Sequence, residues 1–137
     1  MSYSSTGAAI SPAIPARWGE RVLKGKRCQQ IDLVDYRISQ LGQEDHTDQF
    51  AAVFDQLKQA DWIVLGTPVY WHDISGYLKT LIERISQTTD FEEALRDKQI
   101  SVLVQGADPS DTIGPVTHII TRFAHVAGMT FADLEDR

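Results

Sequence analysis

Phe50, Val53, Phe54 and Leu57 stand at i, i+3, i+4 and i+7, one face of a helix, with Asp45 or Thr47 placed to cap its start. The next apolar run is unbroken: Trp62-Ile63-Val64-Leu65, closed by Gly66. A strand covered on both faces has this form, and parallel sheets are built of such strands. Leu78, Leu81, Ile82 and Ile85 return to helical spacing, with Ser75 at the capping position. Asp90 and Glu93 have the spacing of a capping box for a short helix that stops near Lys98. Ile100-Ser101-Val102-Leu103-Val104 is a second buried strand, again followed by a glycine, Gly106. Val116, Ile119, Ile120, Phe123 and Ala127 make another apolar face, and Gly128 stands where a C-cap glycine belongs.

Two further strands are half open to solvent in pattern. Ile31 and Leu33 alternate with Gln30, Asp32 and Val34, and Met129, Phe131 and Leu134 alternate with polar or small residues. Both suit the edges of a sheet. Strands alternating with helices imply right-handed crossovers and a doubly wound parallel sheet in three α/β/α layers. The chain of 137 residues fits one such domain, residues 1–137, and a 42% hydrophobic content is enough for its core.

Charge and cysteine usage narrow the function classes. A formal net charge of -6 and the absence of a Lys/Arg run beyond Lys24, Lys26 and Arg27 argue against a nucleic-acid partner. Cys28 is the single cysteine, so no internal disulfide and no Cys-x-x-Cys redox pair can form. No apolar run approaches the ~20 residues of a membrane-spanning helix. With no basic segment and apolar core at the N-terminus, the cytoplasm is the expected location.

In an open parallel sheet, ligands bind beyond the carboxyl ends of the strands. That directs attention to the loops Gly66–Gly76 and Gln105–Asp111. The first exposes Val69, Tyr70 and Trp71 after a buried strand. Apolar aromatic surface beside backbone N–H groups freed by a turn is what a planar heteroaromatic ligand requires. A lid folded back on the core is the other reading of the same residues.

Ala60-Asp61-Trp62-Ile63-Val64-Leu65-Gly66-Thr67-Pro68-Val69-Tyr70-Trp71, followed by Ser75-Gly76-Tyr77-Leu78-Lys79 and Ile82-Glu83-Arg84, resembles the signature segment of the flavodoxin-like NAD(P)H-dependent FMN reductase and quinone reductase family. The likeness follows element order over residues 47–134 and is sharp from Ala60 to Arg84. It implies a flavodoxin-like fold and FMN held by Thr67, Pro68, Val69, Tyr70, Trp71 and His72, with Gln105, Gly106 and Ala107 closing the other side of the ring. It further implies an oxidoreductase that passes electrons from NAD(P)H to a quinone or similar small acceptor in ping-pong fashion. The flavin performs the chemistry, so no side chain is assigned as a catalytic acid or base.

The resemblance also implies a phosphate loop between the first strand and first helix, and Ser4-Ser5-Thr6-Gly7 is similar to its start. Ser5, Thr6 and Gly7 are the expected contacts. The continuation Ala8-Ala9-Ile10 lacks hydroxyls, Ser11 is the substitute, and Pro12 and Pro15 each remove an N–H donor. On this alignment only Met1-Ser2-Tyr3 is left for the first strand, so most of that strand is expected to be missing. The chain ends at Arg137 without the final helix common in the family. An incompletely covered sheet leaves apolar surface, which predicts a homo-oligomer.

The remaining candidates carry less. His118 and His125 lie seven apart on the polar side of the last helix, too far along its axis to chelate one metal, and no metal site is expected. His72 is the histidine beside the aromatic loop. No nucleophile elbow, Walker A loop or zinc-type spacing occurs. The rival reading is a non-catalytic flavodoxin-like module that lacks FMN and serves in protein association.

Overall fold

The computed structural model describes residues 6–11, 27–68, 73–106 and 110–136. Five strands, β1 (Thr6–Ser11), β2 (Arg27–Asp32), β3 (Trp62–Pro68), β4 (Gln99–Gln105) and β5 (Thr130–Asp136), form one sheet. Its order is β2-β1-β3-β4-β5 and every neighbouring pair is parallel. This is the flavodoxin-like order, with strand sequence reversing at β1 and β3. The described helices are a short 3-10 turn (Leu33–Asp35), α1 (Phe50–Gln59), α2 (Gly76–Ser86), α3 (Phe91–Leu95) and α4 (Ser110–Ala127).

The buried runs form the inner strands. Ile63 to Thr67 of β3 and Ile100 to Val104 of β4 are buried without interruption. Alternation splits them between two faces. Ile63, Leu65, Ile100, Val102 and Val104 join the large cluster with Val53, Leu57, Leu78, Leu81, Val116 and Ile120 from the helices. Val64 and Leu103 form a second cluster with Trp62 packed against it. These two are only 1% and 3% exposed, so among the described residues β3 and β4 show no bare apolar surface on this face. β2 and β5 lie at the two edges, as expected, but Leu33 and Val34, read as strand from their alternation, belong to the 3-10 turn after β2, and Met129 precedes β5.

The caps divide into two that hold and two that do not. Ser75 caps α2, its side chain accepting the Leu78 N–H at 3.2 Å. Gly128 takes φ +70° after α4, while Met129 N–H reaches the Ala124 carbonyl at 2.8 Å and Gly128 N–H that of His125 at 3.3 Å. That is a Schellman ending, which favours glycine. At α1, by contrast, Asp48 accepts the Phe50 N–H at 2.9 Å, whereas Asp45 receives the Thr47 N–H and hydroxyl and builds the preceding turn. Asp90 makes no side-chain cap bond because it sits at φ +61°, and α3 ends at Leu95 rather than near Lys98.

The largest correction concerns the first strand. It is present as Thr6–Ser11, in the interior of the sheet, paired with β2 on one side and β3 on the other. Its residues are mostly small, and a parallel ladder is held by backbone groups, so no apolar run marks it. Thr6 and Gly7 therefore open β1. Gly7 pairs with Cys28 and Trp62, at the amino ends of their strands.

Candidate functional site

The carboxyl ends of the strands meet along one edge. Ser11 pairs with Asp32, Ile10 with Leu65, and β3 and β4 run in register to their last residues, Pro68 opposite Gln105. Pro68, Gln105 and the following Gly106 are half-buried at this lip. Two expected sets of ligand residues, from the β3 and β4 loops, are thus brought together. Val69, Tyr70, Trp71, His72 and Ala107 lie outside the described residues, as does Ser5. Thr6 and Gly7 are not brought together with the rest. They open β1 at the amino edge, and a strand of six residues separates them from the lip by roughly 15–20 Å at the usual rise. The stretch 12–26 that follows β1 lies outside the described residues, with Ser11 the last described residue of the strand.

Thr67 and Ser75 frame the aromatic loop. Both are fully buried. The Thr67 hydroxyl donates to the Pro68 carbonyl at 2.9 Å and accepts the Ser75 N–H at 2.9 Å. Asp73 is exposed and its carboxylate accepts the Ile74 N–H at 2.7 Å, while Ile74 is buried as an apolar anchor. Beyond Ser75 a cavity of about 340 Å³ opens between the 3-10 turn region and the start of α2. Leu33, Ile38, Gln40, Gly76, Tyr77 and Thr80 line it, and Tyr77 is 54% exposed. A space of this size suits a small molecule.

At the described lip the apolar residue Pro68 pairs with Gln105, a residue whose amide both donates and accepts. An isoalloxazine ring, flat and apolar with one polar edge, fits such a donor set. Sequence reasoning missed Thr112. It lies in the first turn of α4, just past the β4 loop, with zero exposure and a hydroxyl that has no hydrogen-bond partner among the described residues. Nothing in the pattern marks it, since it shares the inward spacing of Val116 and Ile120. His118 and His125 are exposed on α4, and among the described residues no group of three or more His, Cys, Asp or Glu could hold a metal ion. No described helix is long and apolar enough to cross a membrane.

A family model described as NADPH-dependent FMN reductase matches residues 12–134. YwqN of Bacillus subtilis, which carries the name of an NAD(P)H-dependent FMN-containing oxidoreductase, is 31% identical over 127 residues, covering 82% of this chain and 70% of that protein. An iron-sulfur flavoprotein of Archaeoglobus fulgidus is 28% identical over 88 residues, covering 58% of this chain and 44% of that protein. Among solved structures, the Trp repressor binding protein from Bacillus subtilis superposes with a TM-score of 0.77 at 25% identity, covering 95% of this chain and 86% of that one.

Proposed function

The chain belongs to the NADPH-dependent FMN reductase family, and from that premise we propose that it passes electrons from NAD(P)H through FMN to a quinone or similar small acceptor. FMN is the family's cofactor and NAD(P)H its donor. The observation that carries the site assignment is the in-register meeting of Pro68 and Gln105 at the carboxyl edge. Bound there, FMN supplies the hydride chemistry, and the protein's work is to seat the ring and exclude competing reactions. Pro68 offers an apolar face, the Gln105 amide meets a polar edge, and Gly106 lets the backbone come close. Val69, Tyr70, Trp71 and His72 complete the wall against which donor and acceptor stack. The cavity beside Tyr77, at the start of α2, supports the reading by leaving room for a small acceptor.

The iron–sulfur part of the Archaeoglobus relative's name is not carried over. A cluster of that kind is held by four thiolates, and this sequence has Cys28 alone. The non-catalytic alternative loses one of its supports, because the first strand is present in the sheet. Self-association belongs to the same proposal, now on the exposure of Val34, Leu41 and Tyr77 rather than on a bare sheet face. A monomer by light scattering at micromolar concentration would count against it.

The test is the visible spectrum of the purified protein before and after excess FMN, with gel filtration to remove free flavin. Turnover with NADH and NADPH then follows, using a benzoquinone as acceptor. Co-eluting flavin and quinone-dependent oxidation of either donor are expected. A protein that retains no FMN overturns the reading, and one that retains it without reducing quinones overturns the acceptor class.

A further inference from the structure

We infer that Thr67 is a positioning residue for the flavin loop, a buried clasp that joins the two ends of the segment 68–75, and that it does not touch the cofactor. The inference rests on the reading that FMN sits against this loop.

Thr67 has one hydroxyl proton, and the Pro68 carbonyl takes it at 2.9 Å. The oxygen in turn accepts the Ser75 N–H at 2.9 Å, across a separation of eight residues. Ser75 continues the relay, its own hydroxyl accepting the Leu78 N–H at 3.2 Å. The first turn of α2 is thereby connected, through two hydroxyls, to the carbonyl at the lip of β3. Hydrogen bonds in such a chain polarise one another. With its proton committed and zero exposure, Thr67 has no donor left for a flavin oxygen.

The two anchor points are themselves fixed. Thr67 pairs with Val104 in the β3–β4 ladder, and Ser75 is the N-cap of a helix whose Leu78, Leu81, Ile82 and Ile85 are in the core. The clasp therefore ties Pro68 at the lip of β3 to the first turn of α2 within a rigid frame, and ligand groups carried between fixed anchor points are preorganised. A β-branched threonine suits the task because its χ1 is restricted, so little rotamer freedom is lost on closing the bonds. Valine has the same shape without the hydroxyl. It would leave the Ser75 N–H buried without this acceptor and the Pro68 carbonyl without this donor, in a place where such groups are normally paired.

The experiment titrates FMN into wild type, Thr67→Val and Thr67→Ser by flavin fluorescence quenching, well below each protein's melting temperature. Amide exchange at Ser75 and the visible circular dichroism of bound flavin are read in parallel. Thr67→Val is expected to raise the Kd for FMN about tenfold or more, to speed Ser75 exchange and to alter the flavin dichroism. Thr67→Ser is expected to restore all three, with a Kd within about threefold of wild type. If Thr67→Val does not fold, Thr67→Cys, whose thiol is a weak donor and acceptor, is expected to shift the same readings less far. Wild-type-like FMN affinity and dichroism in the valine or cysteine variant, with Ser75 exchange accelerated, overturns the clasp while leaving the flavin site standing. Failure of wild type itself to bind FMN overturns the site reading and the clasp with it.

Discussion

The Arg84 guanidinium stands 2.5 Å from the Asp48 carboxylate, with the two side chains 20% and 19% exposed. The same guanidinium donates to the Ser39 carbonyl at 2.7 Å and lies 4.7 Å from the centre of the Phe50 ring. Asp48 also receives the Phe50 N–H. One arginine near the end of α2 thus fixes the start of α1 and the segment that leads to it. Removing Arg84 leaves a half-buried carboxylate and a carbonyl without this partner, a mechanism associated with losses of about 2–4 kcal/mol. Arg84→Ala is expected to lower unfolding free energy by about that amount in urea. Arg84→Lys is expected to recover less than half, because an ammonium lacks the planar fork. A loss below about 0.5 kcal/mol for the alanine variant would place this pair with ordinary surface ion pairs.

Gly76 invites a different expectation. A Cβ built there meets nothing within 4 Å, so neither packing nor backbone conformation demands glycine. Gly76→Ala is expected to be neutral or to raise stability by up to about 0.5 kcal/mol, since alanine is the better helix former. FMN affinity is expected to stay within about threefold of wild type. Thermal unfolding and a flavin titration check both. A loss beyond about tenfold would mean that bound FMN approaches the Gly76 backbone closely.

Legibility in the sequence followed how each residue earns its place. β3 and β4 are readable because both faces are buried, which leaves Trp62–Leu65 and Ile100–Val104 as unbroken runs. Ser75 and Gly128 are readable because a cap needs one residue type at one position. β1 is not, because Thr6-Gly7-Ala8-Ala9-Ile10-Ser11 is held between Arg27–Asp32 and Trp62–Leu65 through backbone ladders that leave no apolar signature. Misreading that strand put Thr6 and Gly7 in a loop after it, whereas they open β1 at the amino edge of the sheet. The meeting of Pro68 with Gln105 follows from topology and was foreseeable. The Thr67–Ser75 bond depends on a rotamer and a loop path, which spacing does not encode.

Lys98 carries a pH dependence. Its ammonium donates to the Lys58 carbonyl at 2.9 Å and to that of Ala60, at the carboxyl end of α1, where a cation complements the helix dipole. Burial lowers its pKa from the ordinary 10.5, partly opposed by the charge of Asp61. A folded-state pKa below the unfolded one means that the unfolded chain holds more protons between the two values. The titration term is therefore present in full above 10.5 and is lost as pH falls through the depressed value. Relative to Lys98→Met, wild type is expected to gain stability as pH rises from neutrality toward about 10. Urea unfolding of both proteins at several pH values checks the sign. A wild-type advantage that shrinks over that range would mean that the carbonyl contacts outweigh burial.

Thr112 sets the last expectation. Among the described residues its hydroxyl is buried without a partner, on the face of α4 that carries Val116, Ile120 and Ala124 into the core. An unpaired buried hydroxyl costs roughly 1–3 kcal/mol by mutational measures, and replacing it with a methyl group of the same shape removes that cost. Thr112→Val is therefore expected to stabilise the cofactor-free protein by about 1 kcal/mol. Thr112→Ser keeps the unpaired hydroxyl and deletes a methyl group, so it is expected to destabilise by about 0.5–1.5 kcal/mol. Chemical unfolding of the two variants without and with saturating FMN separates the cases. Equal gains for valine in both states mean that the hydroxyl is idle throughout. A gain confined to the cofactor-free state means that the hydroxyl finds its partner when FMN is seated. A loss above about 1 kcal/mol in the cofactor-free state would show that the hydroxyl is already satisfied in solution, by a buried water, and would overturn the expectation.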